Sequence, residues 1–267
     1  MGRHLTARLQ AENCRLLALS RSDFDFGASD AGGRLAGLLA EGDTLVFLAA
    51  ITPELSRDVS ALMQNVAIGR AVCEAAAAGP LSHLVYVSSD AVYPFDSETV
   101  CEETPAAPEN LYGVTHLARE IMLAQASQAP LAILRSAAIY GRDDTHNSYG
   151  PNRFTREALQ SGKISLFGGG EETRDHLYID DAVEILWRVI AHRSTGMLNL
   201  ATGHSIAFRT LAEMVAAISP NTNIKSGPRK SAITHRHFQI GNLKAAFPDF
   251  QFTKLVAGLR ATIGTAA

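Results

Sequence analysis

Cysteine is scarce: Cys14, Cys73 and Cys101 lie far apart in 267 residues, and their number is odd. That spacing offers neither a metal-binding cluster nor a disulfide framework, and it suits a reducing cytoplasm. An excess of either charge is lacking too. The 24 Lys and Arg against 27 Asp and Glu leave a formal net charge of −3. Without a basic patch there is no electrostatic footprint for nucleic acid, and no basic block suggests a membrane surface. No apolar run reaches the roughly 18 residues that a membrane-spanning helix needs. The opening MGRHLTARLQ mixes charges with apolar residues and is no signal peptide. Internal repeats and low-complexity segments are also missing.

What is present is 46 % hydrophobic residues, ordinary for a globular protein, and a strict alternation of element types. Leu5 and Leu9 stand one turn apart in an opening helix. Residues 15–19 form a short apolar run, read as a buried strand, that ends in Ser20 and Arg21. A helix over 31–41 leads to a uniformly apolar strand over 43–50, of the kind covered on both faces. A long helix over 55–78 stops at Gly79-Pro80, and a third strand follows at 84–89. A helix over 109–127 and a strand over 131–135 complete the series. Strands alternating with helices predict a doubly wound parallel α/β sheet, with ligands bound beyond the carboxyl ends of the strands.

After residue 140 the texture changes. A loop over 141–151 leads to helices at 152–161, 180–192 and 207–218, a glycine-rich loop at 168–170 and a strand at 197–201. The expected division is a nucleotide-binding domain over 1–140, with part of 175–200, and a small mixed α/β substrate lobe over 141–267.

One further absence bears on function. Dinucleotide-binding sheets open with a strand, a glycine turn and a helix, and the turn lets backbone N–H groups reach the pyrophosphate. Here the chain starts at the helix, and only Gly2 stands where the last glycine of such a turn would be. The first strand is central in such sheets, so its loss opens a slot whose unpaired backbone groups cost about 1–3 kcal/mol each. The expectation is either a late start or fragment, or a variant that fills the slot differently or has lost cofactor binding.

At Ser88-Ser89-Asp90-Ala91-Val92-Tyr93, and again at Tyr112-Gly113-Val114-Thr115-His116, the sequence resembles the extended short-chain dehydrogenase/reductases. It is most similar to the NAD-dependent epimerase/dehydratase family acting on nucleotide sugars. Leu48-Ala49-Ala50, Asn65, Ile139-Tyr140-Gly141, Phe167-Gly168-Gly169-Gly170, Arg174 to Asp181 and Asn199-Leu200-Ala201 agree in order and spacing. The resemblance covers residues 2–265 and implies a Rossmann-type fold, whose first strand is absent from this sequence.

It also implies a site. Ser89 and Tyr112 would flank the reacting carbon. Tyr112 would move a proton at the substrate hydroxyl while hydride passes to or from a nicotinamide. The alternative is structural, with Ser89 in a turn and Tyr112 as a packing aromatic. His116 stands where the family has the lysine that binds the nicotinamide ribose and lowers the tyrosine pKa. It either substitutes for that lysine, or leaves cofactor binding without activity, or marks a defunct site.

Cofactor contacts would come from Gly2, Ser20, Arg21, Leu48, Ala49, Ala50, Asn65, Ser88, Tyr112 and His116. No acid follows the second family strand to pair with an NAD ribose. Arg21 could instead meet the 2′-phosphate of NADP, or be a plain loop arginine, so the cofactor reads as NAD or NADP. Substrate contacts would come from Asp90, Asn152, Arg153, Phe154 and Arg174. Arg174 matches the family's diphosphate-binding arginine, unless it pairs with Asp175 or Glu172.

The segment Ser136-Ala137-Ala138 lacks the asparagine often used to touch the sugar. Asp90-Ala91 replaces the Asp-Glu of a 4,6-dehydratase. Asp180 and Asp181 read as a helix N-cap rather than a metal site, and His235, His237, Asp143, Asp144 and His146 as surface residues. The implied function is an epimerase, dehydratase or reductase of a nucleotide-activated sugar. A non-catalytic binding protein of the same family is the alternative. A homodimer built on the 55–78 and Tyr112 helices is expected, with no metal.

Overall fold

A computed structural model describes residues 1–144, 147, 149–229 and 232–264. In chain order its first elements are α1 (Gly2–Ala11), α2 (Ala31–Ala36), β1 (Thr44–Phe47), α3 (Val59–Ala78), β2 (His83–Ser89) and β3 (Thr99–Val100). Next come α4 (Leu111–Ala126), β4 (Leu131–Ser136), β5 (Ala138–Tyr140), α5 (Pro151–Ser161), β6 (Lys163–Phe167) and β7 (Thr173–Tyr178). The last are α6 (Ile179–Ala191), β8 (Gly196–Leu200), β9 (Ser205–Ala207), α7 (Phe208–Ile218), β10 (Asn223–Gly227), β11 (His237–Phe238), α8 (Gly241–Ala246) and α9 (Leu255–Ile263).

The chain divides into two compact units. The first comprises Met1–Pro94, Pro105–Ser136 and Val183–Leu198. Its sheet has the order β1-β2-β4-β8, with β1, β2 and β4 parallel. The parallel register and helical crossovers follow from the alternation of apolar runs with helical stretches. Phe47, Leu84, Tyr86 and Ile133 from the strands pack with Ala71, Val72 and Ala75 of α3 and Leu123 of α4. The alanine-rich face of α3 permits close helix contact. A Cβ at Gly69 would stand 2.9 Å from Cγ of Arg119 on α4.

Helix starts obey local chemistry. Asp58 caps α3 by accepting from Ala61 N at 2.8 Å, and Asn110 caps α4 by accepting from Gly113 N at 2.9 Å. Each helix therefore begins a little later than hydrophobic pattern alone suggests.

The run 15–19 departs from expectation. It takes no place in a sheet, and Leu17 is 64 % exposed. A strand exists through its ladder, and no described strand lies against this run or against the free edge of β1. An apolar run without a ladder partner stays irregular, whatever its propensity.

The second unit comprises Phe95–Thr104, Ala137–Ala182 and Asn199–Ala267. It holds small sheets: β5-β7-β9, mixed in direction, and the parallel pairs β6-β10 and β3-β11. Phe154, Ile164, Leu166, Phe208, Leu211, Val215 and Leu259 form its core. β6 alternates exposed and buried residues, as a strand covered on one face does.

Candidate active site

β2 ends at Ser89, and the chain turns at once into a short 3-10 helix over Asp90–Val92. The Ser89 hydroxyl accepts from Ala91 N at 3.2 Å and caps that turn. Its proton faces Asp90 Oδ1 at 3.5 Å, and both Ser89 and Asp90 act on the hydroxyl of Tyr112, one residue into α4. Gly113 makes this approach possible. A Cβ there would lie 2.1 Å from the Ala91 carbonyl oxygen, so only glycine lets α4 sit against the turn.

Burial pushes the Tyr112 hydroxyl up to about 12, and the carboxylates of Asp90 and Glu54 push the same way. The Arg119 charge and the Ser89 hydroxyl act in opposition. Tyr112 is therefore protonated at neutral pH, as the larger, unfavourable effects dominate.

One turn along α4, His116 is 2 % exposed, and its ring meets that of Tyr112 edge-on at 4.5 Å. Its Nδ1 lies 2.7 Å from the Tyr86 hydroxyl, and its Nε2 has no hydrogen-bond partner among the described residues. Burial, with the Arg119 charge nearby, lowers its pKa to about 3. The imidazole is neutral and does not supply the charge of a lysine.

The cation of this region is Arg119, a residue outside the expected set. It is fully buried, stacks on Phe47 at 4.8 Å, and donates to the carbonyls of Asn65 and Ala49. Its position three residues beyond His116 on the same helix face was the available signal. No motif marks the pair buried beneath Ser88 either. Glu120 accepts from Arg135 at 2.7 Å and from the Ser88 hydroxyl at 2.6 Å.

The expected cofactor residues of this unit scatter in role. Asn65 holds the main chain of Ile51 through two hydrogen bonds and thereby fixes the loop after Leu48, Ala49 and Ala50. A Cβ on Gly2 would lie 3.9 Å from Leu48 Cδ1, so the start of α1 adjoins the end of β1. The Ser88 hydroxyl points to Glu120, which leaves only its main chain for a ligand. Ser20 is tied to Asp23, and Arg21 is exposed.

In the second unit several substrate expectations need correcting. Phe154 is fully buried in the core, packed on Tyr149 and Phe208, so its ring is no ligand contact. Asn152 is 4 % exposed and bonds Gly141 N and the Ile139 carbonyl, a structural use. Arg153 pairs with Glu157 at 2.8 Å and lies over the rings of Tyr149 and Phe167. Arg174 donates to the Thr173 carbonyl and to Thr234. The carboxylates considered as its partners are engaged elsewhere, Asp175 by Thr202 and His204 and Glu172 by Arg229.

Asp181 is not a helix cap. Its carboxylate accepts from the main chain and hydroxyl of Thr253. His235 is half-buried and bonded to Thr173 at 2.9 Å, whereas the His237 side chain is 41 % exposed beside Glu98. Asp143 is exposed, Asp144 pairs with Arg156, and His146 lies outside the described residues. Among the described residues no cluster of His, Cys, Asp and Glu could hold a metal, and no helix is long and apolar enough to cross a membrane.

A parallel sheet with crossover helices, carrying Ser89 and Tyr112 just past a strand's carboxyl end, defines a Rossmann-like α/β protein. The profile of the NAD dependent epimerase/dehydratase family matches residues 1–201, and the chain belongs to that family. A protein described as an uncharacterized UDP-glucose epimerase from Bacillus subtilis (strain 168) is 29 % identical over 58 % of this chain and 51 % of its own. The ADP-L-glycero-D-manno-heptose-6-epimerase of Alkalilimnicola ehrlichii is 27 % identical over 66 % of this chain and 61 % of its own. The matched region thus spans about half to three-fifths of these relatives' lengths. In fold, the chain resembles the UDP-glucose 4-epimerase of Thermotoga maritima, solved with UDP-glucose, at TM-score 0.84 and 17 % identity, covering 98 % of this chain and 93 % of that one. It also resembles MoeE5, solved with UDP-glucose and NAD, at TM-score 0.83 and 20 % identity, covering 98 % and 94 %.

Proposed function

We propose that this protein is an NAD-dependent epimerase-type enzyme acting on a nucleotide-activated sugar, with Ser89 and Tyr112 at the reacting carbon. The observation that carries this reading is the seating of Tyr112 beside Ser89 at the carboxyl end of β2, set by the close approach of Gly113 to Ala91. Two features fit a bound cofactor. The buried His116 Nε2 lacks a partner, and the start of α1 bears no acidic side chain in its first turn. His116, the loop of Leu48 to Ala50, Ser88 through its main chain, and Gly2 would hold the cofactor. The family's cofactor is NAD, and the case for NADP rests on exposed Arg21 alone. Bound NAD supplies a hydride acceptor, and its reduced form the donor. Within the first unit, Asp90, whose carboxylate acts on Tyr112, would contact the substrate.

Tyr112, protonated at neutral pH, gives its proton to a keto oxygen in the direction of reduction. In the opposite direction it must first lose that proton before it can take one from a sugar hydroxyl. Ser89 donates a hydrogen bond at the same oxygen and holds the tyrosine in line. A homodimer is part of the proposal, because Val59 and Met63 of α3 and Ile121 of α4 are 51–63 % exposed on a pair of adjacent helices.

The test is turnover of UDP-glucose with NAD by the wild type, Tyr112→Phe and Ser89→Ala. Loss of a positioned proton donor lowers kcat by about 10²–10⁴-fold with the fold retained. Equal rates in wild type and Tyr112→Phe would overturn the assignment. Ligand binding without any turnover in the wild type would identify a non-catalytic member of the family.

A further inference from the structure

Arg119 is 0 % exposed, and among the described residues its hydrogen-bond partners are neutral oxygens. A guanidinium held this way must place all five N–H groups, because burying an unpaired charge costs several kcal/mol. Nε and Nη2 donate to the Asn65 carbonyl, Nη2 also to Asn65 Oδ1, and Nη1 to the Ala49 carbonyl. One N–H is left, and the Tyr86 hydroxyl lies close enough to feel the guanidinium charge.

Tyr86 is 1 % exposed and has one proton to give. Beside it, at 2.7 Å, is His116 Nδ1. With the Arg119 charge beside Tyr86, the hydroxyl turns its lone pairs to the cation and its O–H to the imidazole. Nδ1 is then the acceptor, and the ring proton must sit on Nε2. That Nε2 is buried and has no partner among the described residues.

We propose that Arg119, Tyr86 and His116 form a hydrogen-bond relay that fixes the Nε2–H tautomer of His116 and offers this N–H to a hydroxyl oxygen of a ligand bound beside Tyr112. His116 is the ligand contact, and Tyr86 and Arg119 are positioning residues. The relay places a charge two hydrogen bonds behind the donor and polarises it, a substitute for carrying the charge at the donor itself. The groups facing His116 are Arg119 and Tyr112 from α4 and Tyr86 from β2, and with them the ring stays neutral. This inference rests on the proposed function for the location of the ligand, not for the tautomer.

The test is nitrogen NMR of the full-length protein with labelled histidine, alone and with NAD. The His116 signals, assigned by their loss in His116→Asn, should show an Nε2–H tautomer that does not titrate from about pH 5 to 9. Addition of NAD should shift the Nε2–H resonance. Tyr86→Phe should release the tautomer into a mixture and weaken NAD binding roughly 2- to 10-fold, the worth of one hydrogen bond. An Nδ1–H tautomer in the wild type, or an unchanged tautomer in Tyr86→Phe, overturns the relay. A fixed Nε2–H that NAD leaves unmoved overturns the donor role. If the relay behaves as expected while Tyr112→Phe turns over normally, the catalytic assignment fails and the relay stands.

Discussion

Gly113 and Ala91 approach so closely that a Cβ on the glycine would stand 2.1 Å from the alanine carbonyl oxygen. This contact seats the first turn of α4 on the 3-10 turn after β2, and so brings Tyr112 to Ser89. Gly113→Ala should therefore cost about 1–3 kcal/mol of stability through overpacking, and lower turnover by more than the stability loss explains. Gly33→Ala is the control. Gly33 lies in α2, and a methyl group there would meet nothing within 4 Å, so alanine should stabilise by about 0.5–1 kcal/mol. Thermal unfolding with parallel rate measurements separates the two effects.

The Glu120–Arg135 pair is almost wholly buried, with side chains 5 % exposed. Removing either partner strands a charge. Arg135→Met should destabilise by about 3–5 kcal/mol, whereas Arg135→Met with Glu120→Leu should cost clearly less than the sum of the two single changes. Urea unfolding of the four proteins in a double-mutant cycle reads the coupling. Additive losses would mean that the pair contributes nothing as a pair.

Two buried histidines make the protein sensitive to acid. His116 and His176 have pKa values lowered to about 3, chiefly by burial. Below about pH 6.5 the unfolded chain takes up protons that the folded chain refuses, so stability falls as pH drops towards 3. Each histidine contributes up to about 1.4 kcal/mol per pH unit across that window. His116→Asn should flatten the curve of unfolding free energy against pH by about one proton, and an unchanged slope would show that His116 is protonated when folded. At the other extreme, Tyr112, raised to about 12, makes stability fall above about pH 10, where the unfolded chain ionises first.

The exposed apolar residues of α3 and α4 should be covered by a second copy of the chain. Light scattering coupled to gel filtration should report a dimer, and Met63→Glu with Ile121→Glu should yield a folded monomer. A monomeric wild type at tens of micromolar would remove the basis for this assembly.

Much of the fold can be read along the chain. The apolar runs that became β1, β2 and β4 are uniform, as strands covered on both faces must be, and the stop at Gly79-Pro80 and the caps at Asp58 and Asn110 are local events. The run 15–19 looks the same in sequence, yet it is no strand, because pairing depends on a neighbour that no local pattern reports. The second unit was less legible. Its strands β3, β9 and β11 have two or three residues each, too short for any period to show.

At the site, the family resemblance singles out Ser89 at a strand end, Tyr112 at a helix start and His116 one turn later, and the fold gathers these three. Their protonation states are settled in three dimensions, by burial and by charges far away in sequence. Asn65, Tyr86 and Arg119 come from three different elements to set the tautomer of one histidine. The same dependence separates a ligand contact from a core residue, as Phe154 shows. A side chain's chemistry is written in its identity, but its availability depends on what the fold packs against it.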